Sequence, residues 1–161
     1  MSDTETLDSL RQSKLAIELD EDQVRKLADH VALRDLADEE VLCEEGHSDD
    51  RLHTIVSGAV AVAKRQPGGE YLNLNVLTRG DLVGELAFMD GRPHYATLRA
   101  MGATRVLSLQ RAELERMLET DPVIVYRVMR AIFRVVHTIL HRMGAQQSEL
   151  TNYIYKLHGK Y

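Results

Sequence analysis

Between about residues 32 and 110 the chain is cut into short apolar runs by glycine, or by Gly/Pro turns, every ten residues or so. Residues 52–57 and 59–64 flank Gly58. The turn Pro67-Gly68-Gly69 precedes Tyr71, Leu72, Leu74, Val76 and Leu77. Residues 95–101 and 104–109 flank Gly102. Runs this short leave no room for crossover helices. The spacing therefore predicts an all-β barrel or sandwich rather than alternating βα units.

Helical texture brackets this zone. Residues 4–31 read as short helices, with a capping-box pattern at Asp20-x-x-Gln23 followed by Val24, Leu27 and Ala28. Residues 111–120 predict one amphipathic helix. Asp121-Pro122 predicts the start of another, with Asp121 as N-cap and Pro122 in the first turn. That helix meets no breaker before Gly144, and a tail at 144–161 either extends it, restarts it or stays flexible. At 161 residues the chain is the size of one domain. With no Trp and two Phe, its core must come from Leu, Val, Ile, Ala and Met.

Charge and cysteine usage narrow the function classes. The net charge of −5 weighs against a nucleic-acid partner. The lone Cys43, in the run Val41-Leu42-Cys43, predicts a small buried apolar side chain in a reducing compartment. The acidic start lacks a secretory pattern, and no apolar run approaches membrane-spanning length, so the expected location is cytoplasmic. Neither a catalytic triad with supporting context nor a Walker loop is present, which argues against an enzyme. His137 and His141 have metal-ligand spacing, but the general-base Glu and a third ligand are missing, so no metal is expected.

The densest chemical signal is residues 80–98, GDLVGELAFMDGRPHYATL. Gly84 permits close backbone approach. Glu85 follows where the amides of Leu86, Ala87 and Phe88 begin a helical turn. Free amides suit an anion, and a carboxylate beside them can accept hydrogen bonds from a sugar hydroxyl. The pair suits a phosphosugar. On the plainer reading, Glu85 only caps the turn and the glycines only serve tight corners.

The stretch GELAFMDGRPHYATLRA resembles the phosphate-binding cassette of cyclic nucleotide-binding domains, the β-rolls of catabolite activators and protein kinase A regulatory subunits. EEVLCEEG (39–46), LHTIVSGAVAVAK (52–64) and LTRGDLVGE (77–85) follow in the family's order, and the resemblance covers about residues 13–143. It implies a mainly β fold with flanking helices: a double-stranded β-helix (jelly-roll or β-roll), short N-terminal helices and a long C-terminal dimerisation helix. By resemblance the domain is 1–143, with the roll at about 32–110 and the C-terminal helices at 111–143. It also implies a non-enzymatic regulator without a resident cofactor that binds cAMP, cGMP or a similar phosphosugar. The implied ligand-binding residues are Gly84, Glu85, Leu86, Ala87, His94, Tyr95 and Ala96. Residues 144–161 are too few for the winged helix-turn-helix of family transcription factors, so no DNA-binding domain is expected.

Two positions, 94 and 39, depart from the pattern. His94 stands where the family's arginine meets the cyclic phosphate. Exchanging a fixed guanidinium fork for an imidazole forfeits about 1.5–3 kcal/mol of charge-assisted bonding. Arg92, two residues earlier across Pro93, is the substitute cation. Glu39 takes the place of a turn glycine. Thr138 is the nearest candidate for the polar residue that meets the base.

On the long helix, Val125, Val128, Ile132, Val135 and Ile139 step at three and four residues, as do Met129, Ile132, Val136, Ile139 and Met143. The apolar face is wider than one barrel surface needs, and it predicts a homodimer through residues 122–143. Arg127, Arg130, Arg134, His137 and His141 form a basic stripe, expected to be a solvated face. Two roles remain open: a ligand switch acting through this helix, or a docking module that has kept the fold and lost the ligand.

Overall fold

The computed structural model describes residues 3–159. The last two positions of the predicted tail lie outside the described residues. Asp3 caps α1 (Thr4–Arg11) by accepting the Thr6 N–H at 2.7 Å. A 3-10 turn at Lys14–Ala16 leads to α2 (Glu21–Ala28). The expected capping box is present there. Asp20 accepts from the Gln23 N–H at 2.9 Å, and the Gln23 side chain accepts from the Asp20 N–H at 3.1 Å.

The β zone contains β1 (Val31–Leu36), β2 (Val41–Cys43), β3 (Arg51–Arg65), β4 (Tyr71–Thr78), β5 (Leu82–Val83) and β6 (Thr97–Gln110). All pairings are antiparallel. The order is β1-β6-β3-β4, with β2 also on β6 and β5 also on β3. The runs expected as separate strands on either side of Gly58 and Gly102 are instead two long bent strands, β3 and β6. Register shifts at 55–57 and 57–59 take up the bend. At the corner the Thr104 hydroxyl donates to the Ala59 carbonyl at 3.0 Å. A Cβ on Gly58, whose φ is +82°, would lie 2.5 Å from both the Ala103 carbonyl and the Thr104 hydroxyl. Only glycine lets the strands meet so closely.

Two apolar clusters stabilise the molecule. One lies inside the roll, around Leu36, Leu42, Cys43, Ile55, Val60, Val62, Leu98 and Val106. Burial there, with Asp49 and Glu44 nearby, pushes the Cys43 thiol up to about 11, as suits a packing residue. The other joins the roll to the helices, through Leu10, Leu15, Leu27, Leu107, Leu109, Met117, Ile124, Val128 and Ile132.

After the roll come α4 (Arg111–Thr120) and α5 (Pro122–His158). The predicted tail is therefore helix through His158, an unbroken continuation of α5 past Gly144. Asp121 occupies the N-cap position but does not cap with its side chain. Its carboxylate instead takes Lys26 of α2 at 2.7 Å, because α2 packs close enough to offer a full charge. The basic stripe is not simply solvated either. Arg130 and Arg134 both reach Glu18, at 3.2 and 2.8 Å, and Arg127 donates to Gln23 at 2.6 Å. These contacts strap the N-terminal segment onto the first turns of α5. His137 stacks at 6.4 Å on Phe133. Among the described residues, no helix is long and apolar enough to cross a membrane.

Candidate functional site

Strand β5 carries the chain into the site. His53 pairs with Val83 and Thr54 with Leu82, which delivers Gly84 at the mouth of the roll with φ +81°. A Cβ there would lie 3.3 Å from the Arg51 carbonyl and 3.3 Å from Cε1 of His94. Glycine thus serves both the left-handed backbone and the contact with the imidazole. The single turn and a half of α3 (Glu85–Asp90) follows and closes at Gly91, whose φ is +71°. Buried Ala87 and Phe88 anchor α3, leaving Leu86 and Met89 exposed. Arg111 holds its far end, donating to the Phe88 carbonyl at 3.4 Å while pairing with Asp50 at 2.8 Å.

Glu85 is half-buried. Burial raises its carboxyl above the usual range, and its own backbone N–H only partly offsets this. No cation pairs with it among the described residues.

His94 comes back from the other side. Its backbone is held at both ends: its N–H donates to the His47 carbonyl at 2.9 Å, and its carbonyl accepts from the Gly46 N–H at 2.8 Å. The side chain is 9% exposed and its Nε2 is buried without a partner. Burial holds the imidazole below its ordinary value; Asp49 pulls it back up and His53 pushes it further down. His53, fully buried, bonds Ser108 at 2.7 Å through Nδ1 and Asp49 at 3.4 Å through Nε2.

The remaining candidates fall into two groups. Gly84 and His94 lie against each other and the exposed Tyr95 sits near Glu85, whereas Ala96 is buried in the apolar interior of the roll. Burial and the nearby Glu85 raise the Tyr95 phenol, and the Lys64 ammonium sits 5.9 Å from its ring. Arg92 does not join them. Its side chain is 83% exposed and pairs with Asp90 at 3.4 Å within its own loop, because Pro93 and Gly91 turn it outward. Thr138 lies on the exposed part of α5, with its hydroxyl donating to the Arg134 carbonyl at 2.9 Å.

Several members of the site carry no signal in the sequence. Lys64 pairs with Glu45 at 2.5 Å, and the Glu45 N–H donates to the Thr97 hydroxyl at 3.1 Å. The Arg99 guanidinium stacks 4.6 Å over Tyr71. Asp49 and His53 reach the site only because β3 pairs with both β5 and β6. Strand alternation alone would have marked the inward side of β3, but not which neighbours it meets.

The sequence profile of the cyclic nucleotide-binding domain family matches residues 33–121, the span that holds the roll and all of α3. The chain belongs to that family. It is 34% identical over 98 residues to the cAMP-dependent protein kinase regulatory subunit of Mycosarcoma maydis, covering 58% of this chain and 18% of that protein. It is 30% identical over 90 residues to the CRP-like cAMP-activated global transcriptional regulator of Mycobacterium tuberculosis, covering 56% and 40%. The chain thus spans less than half of either relative. Among solved structures, the N-terminal domain of a transcriptional regulator from Streptomyces coelicolor superposes with a TM-score of 0.71 at 29% identity, covering 84% of this chain and 95% of that one. The regulatory domain of Toxoplasma gondii PKA, solved with cAMP, gives a TM-score of 0.62 at 26% identity, covering 72% and 46%. These relatives are named as regulators, and the family's β-roll, mainly antiparallel strands with flanking helices, is the fold seen here.

Proposed function

We propose that this chain is a non-enzymatic regulatory domain whose 84–97 segment binds a cyclic nucleotide, cAMP or cGMP, or a similar phosphosugar. The observation that carries this reading is a buried imidazole nitrogen without a partner close to a desolvated carboxylate without a cation. Glu85 is a partly desolvated carboxylate without a cation, and His94 Nε2 is buried without a partner. Leaving a buried nitrogen such as His94 Nε2 unsatisfied costs about 1–3 kcal/mol, which a ligand that completes it would recover. A ribose hydroxyl donating to Glu85 and a phosphate oxygen accepting from His94 complete both.

The signal passes through α5. Its 37 residues make a rod about 55 Å long, of which only the first three turns are buried against the domain. Beyond them runs an exposed or half-buried row at alternating spacings of three and four: Phe133, Val136, Leu140, Met143, Gln147, Leu150, Ile154 and Leu157. One polar position in an apolar heptad seam is the pattern of a two-stranded coiled coil with a set register. The row starts at Phe133, within 122–143, and runs on to Leu157, and it supports a homodimer through this helix.

Calorimetry with cAMP and with cGMP tests the ligand. The expected result is saturable heat that Glu85→Ala removes. No heat at about millimolar ligand, where binding free energies approach −4 kcal/mol, overturns it. That outcome would leave the docking-module reading, which the outward-turned Arg92 favours.

A further inference from the structure

We propose that the ligand site of this chain takes up a proton together with its ligand, with His94 as the group that receives it. The inference rests on the phosphosugar reading above, and it adds how that site is regulated.

The argument is geometric first. Backbone bonds to His47 and Gly46 fix His94, and its ring packs against Gly84. Its Nε2 is buried and unspent. The groups facing it are few. Asp49, from the loop before β3, favours the charged ring; His53 of β3 opposes it. Glu85 lies on α3 next to Gly84, which the ring touches. Arg92, two residues away, is turned to solvent and paired with Asp90. Among the described residues the nearby cations are already paired, Arg92 with Asp90 and Lys64 with Glu45, while the carboxylates Glu85 and Asp49 stand close by.

A cyclic phosphodiester carries one negative charge across the whole accessible pH range. Seating it here against neutral imidazole and two carboxylates is unfavourable in a partly desolvated site. Protonation of His94 removes the conflict: the ring gains a charge and a second N–H, and Nε2–H points a charge-assisted bond at a phosphate oxygen. Burial keeps the ring neutral in the free protein near pH 7, so the proton arrives with the ligand. By linkage, affinity is highest in mild acid and falls by up to about tenfold per pH unit above the free-state value of the ring. Glu85 works in the opposite sense, since protonating it would cost the acceptor for the sugar hydroxyl. The result is an optimum in mild acid rather than a rise without limit.

The test is calorimetry of the whole chain with cAMP and cGMP, from about pH 5.5 to pH 8, in buffers of differing ionisation enthalpy. The expected result is at least about tenfold weaker binding at pH 7.5 than at pH 6, with uptake of close to one proton near neutrality. His94→Arg should bind more tightly at pH 7.5 with a flat profile, and His94→Gln should bind weakly with a flat profile. Wild-type binding with no proton uptake overturns the proposal and leaves the phosphosugar reading intact. So does a pH dependence that persists in His94→Gln, or binding by His94→Arg where wild type fails even at pH 5.5. Absence of binding by both wild type and His94→Arg at every pH overturns both readings. The wild-type proton count decides the matter even if a variant does not fold.

Discussion

Glu39 is the one residue other than glycine that the described chain holds at positive φ, at +63°. It sits in the turn between β1 and β2, closed by the Glu40 N–H donating to the Ala37 carbonyl at 3.1 Å. Glu39 is third in that turn, the place where type II turns take glycine. Its own N–H is committed to the Ala100 carbonyl at 3.0 Å, and the neighbouring Asp38 accepts from the Gly102 N–H at 2.7 Å. The turn cannot relax without losing bonds to β6. Glu39→Gly should relieve about 1–2 kcal/mol of left-handed strain. Against this stand the extra freedom of glycine in the unfolded chain, about 0.5 kcal/mol, and one ion pair. That pair, with Arg99 at 3.5 Å and a Glu39 side chain 73% exposed, contributes at most about 0.5 kcal/mol. The net gain is about 0–1 kcal/mol, or a melting temperature raised by up to about 4 °C for a chain of this size. Glu39→Ala is the control, since it loses the ion pair and keeps the strain; it should melt at or slightly below wild type. Calorimetric melts at one protein concentration measure all three. If Glu39→Gly melts no higher than Glu39→Ala, the strain argument is wrong.

Gly58→Ala should cost about 2–4 kcal/mol, because its Cβ meets backbone at 2.5 Å where φ is +82°. A melting temperature lowered by less than about 3 °C would show that the β3–β6 corner can open. The Glu85 carboxyl gives a pH signature in the ligand-free protein. Its folded value is raised, so folding binds more protons than unfolding, and stability falls as pH rises through the window between the ordinary and the raised value. Glu85→Gln should therefore melt higher than wild type at neutral pH, with the gain vanishing below the ordinary carboxylate range. An equal gain at both pH values would mean that packing, not charge burial, is responsible.

Much of this protein could be read from local order in the chain. The capping box at Asp20 and the extent of α4 follow from residues within one or two turns of each other, and both appear as read. The segment 84–97 stood out because a glycine and an acid adjoin at the start of a helical turn, which is a local pattern. Glu39 stood out as a residue where a glycine belongs, and its positive φ is the physical content of that mismatch. What local order could not give was anything settled by distant partners. Whether Gly58 and Gly102 end strands or bend them depends on how β3 and β6 pair across the corner. Asp121 meets the description of an N-cap, yet Lys26, 95 residues earlier, offers its carboxylate a full charge instead. The stripe of Arg127, Arg130 and Arg134 looks like solvated surface until Glu18 and Gln23 arrive from the N-terminal segment. The same holds at the site: the family resemblance named His94, but only the folded chain shows that its Nε2 is buried without a partner, near Gly84, Asp49 and His53. Periodicity and turn chemistry act between neighbours in sequence, whereas burial and charge pairing act between neighbours in space, and these last decide what the site can hold.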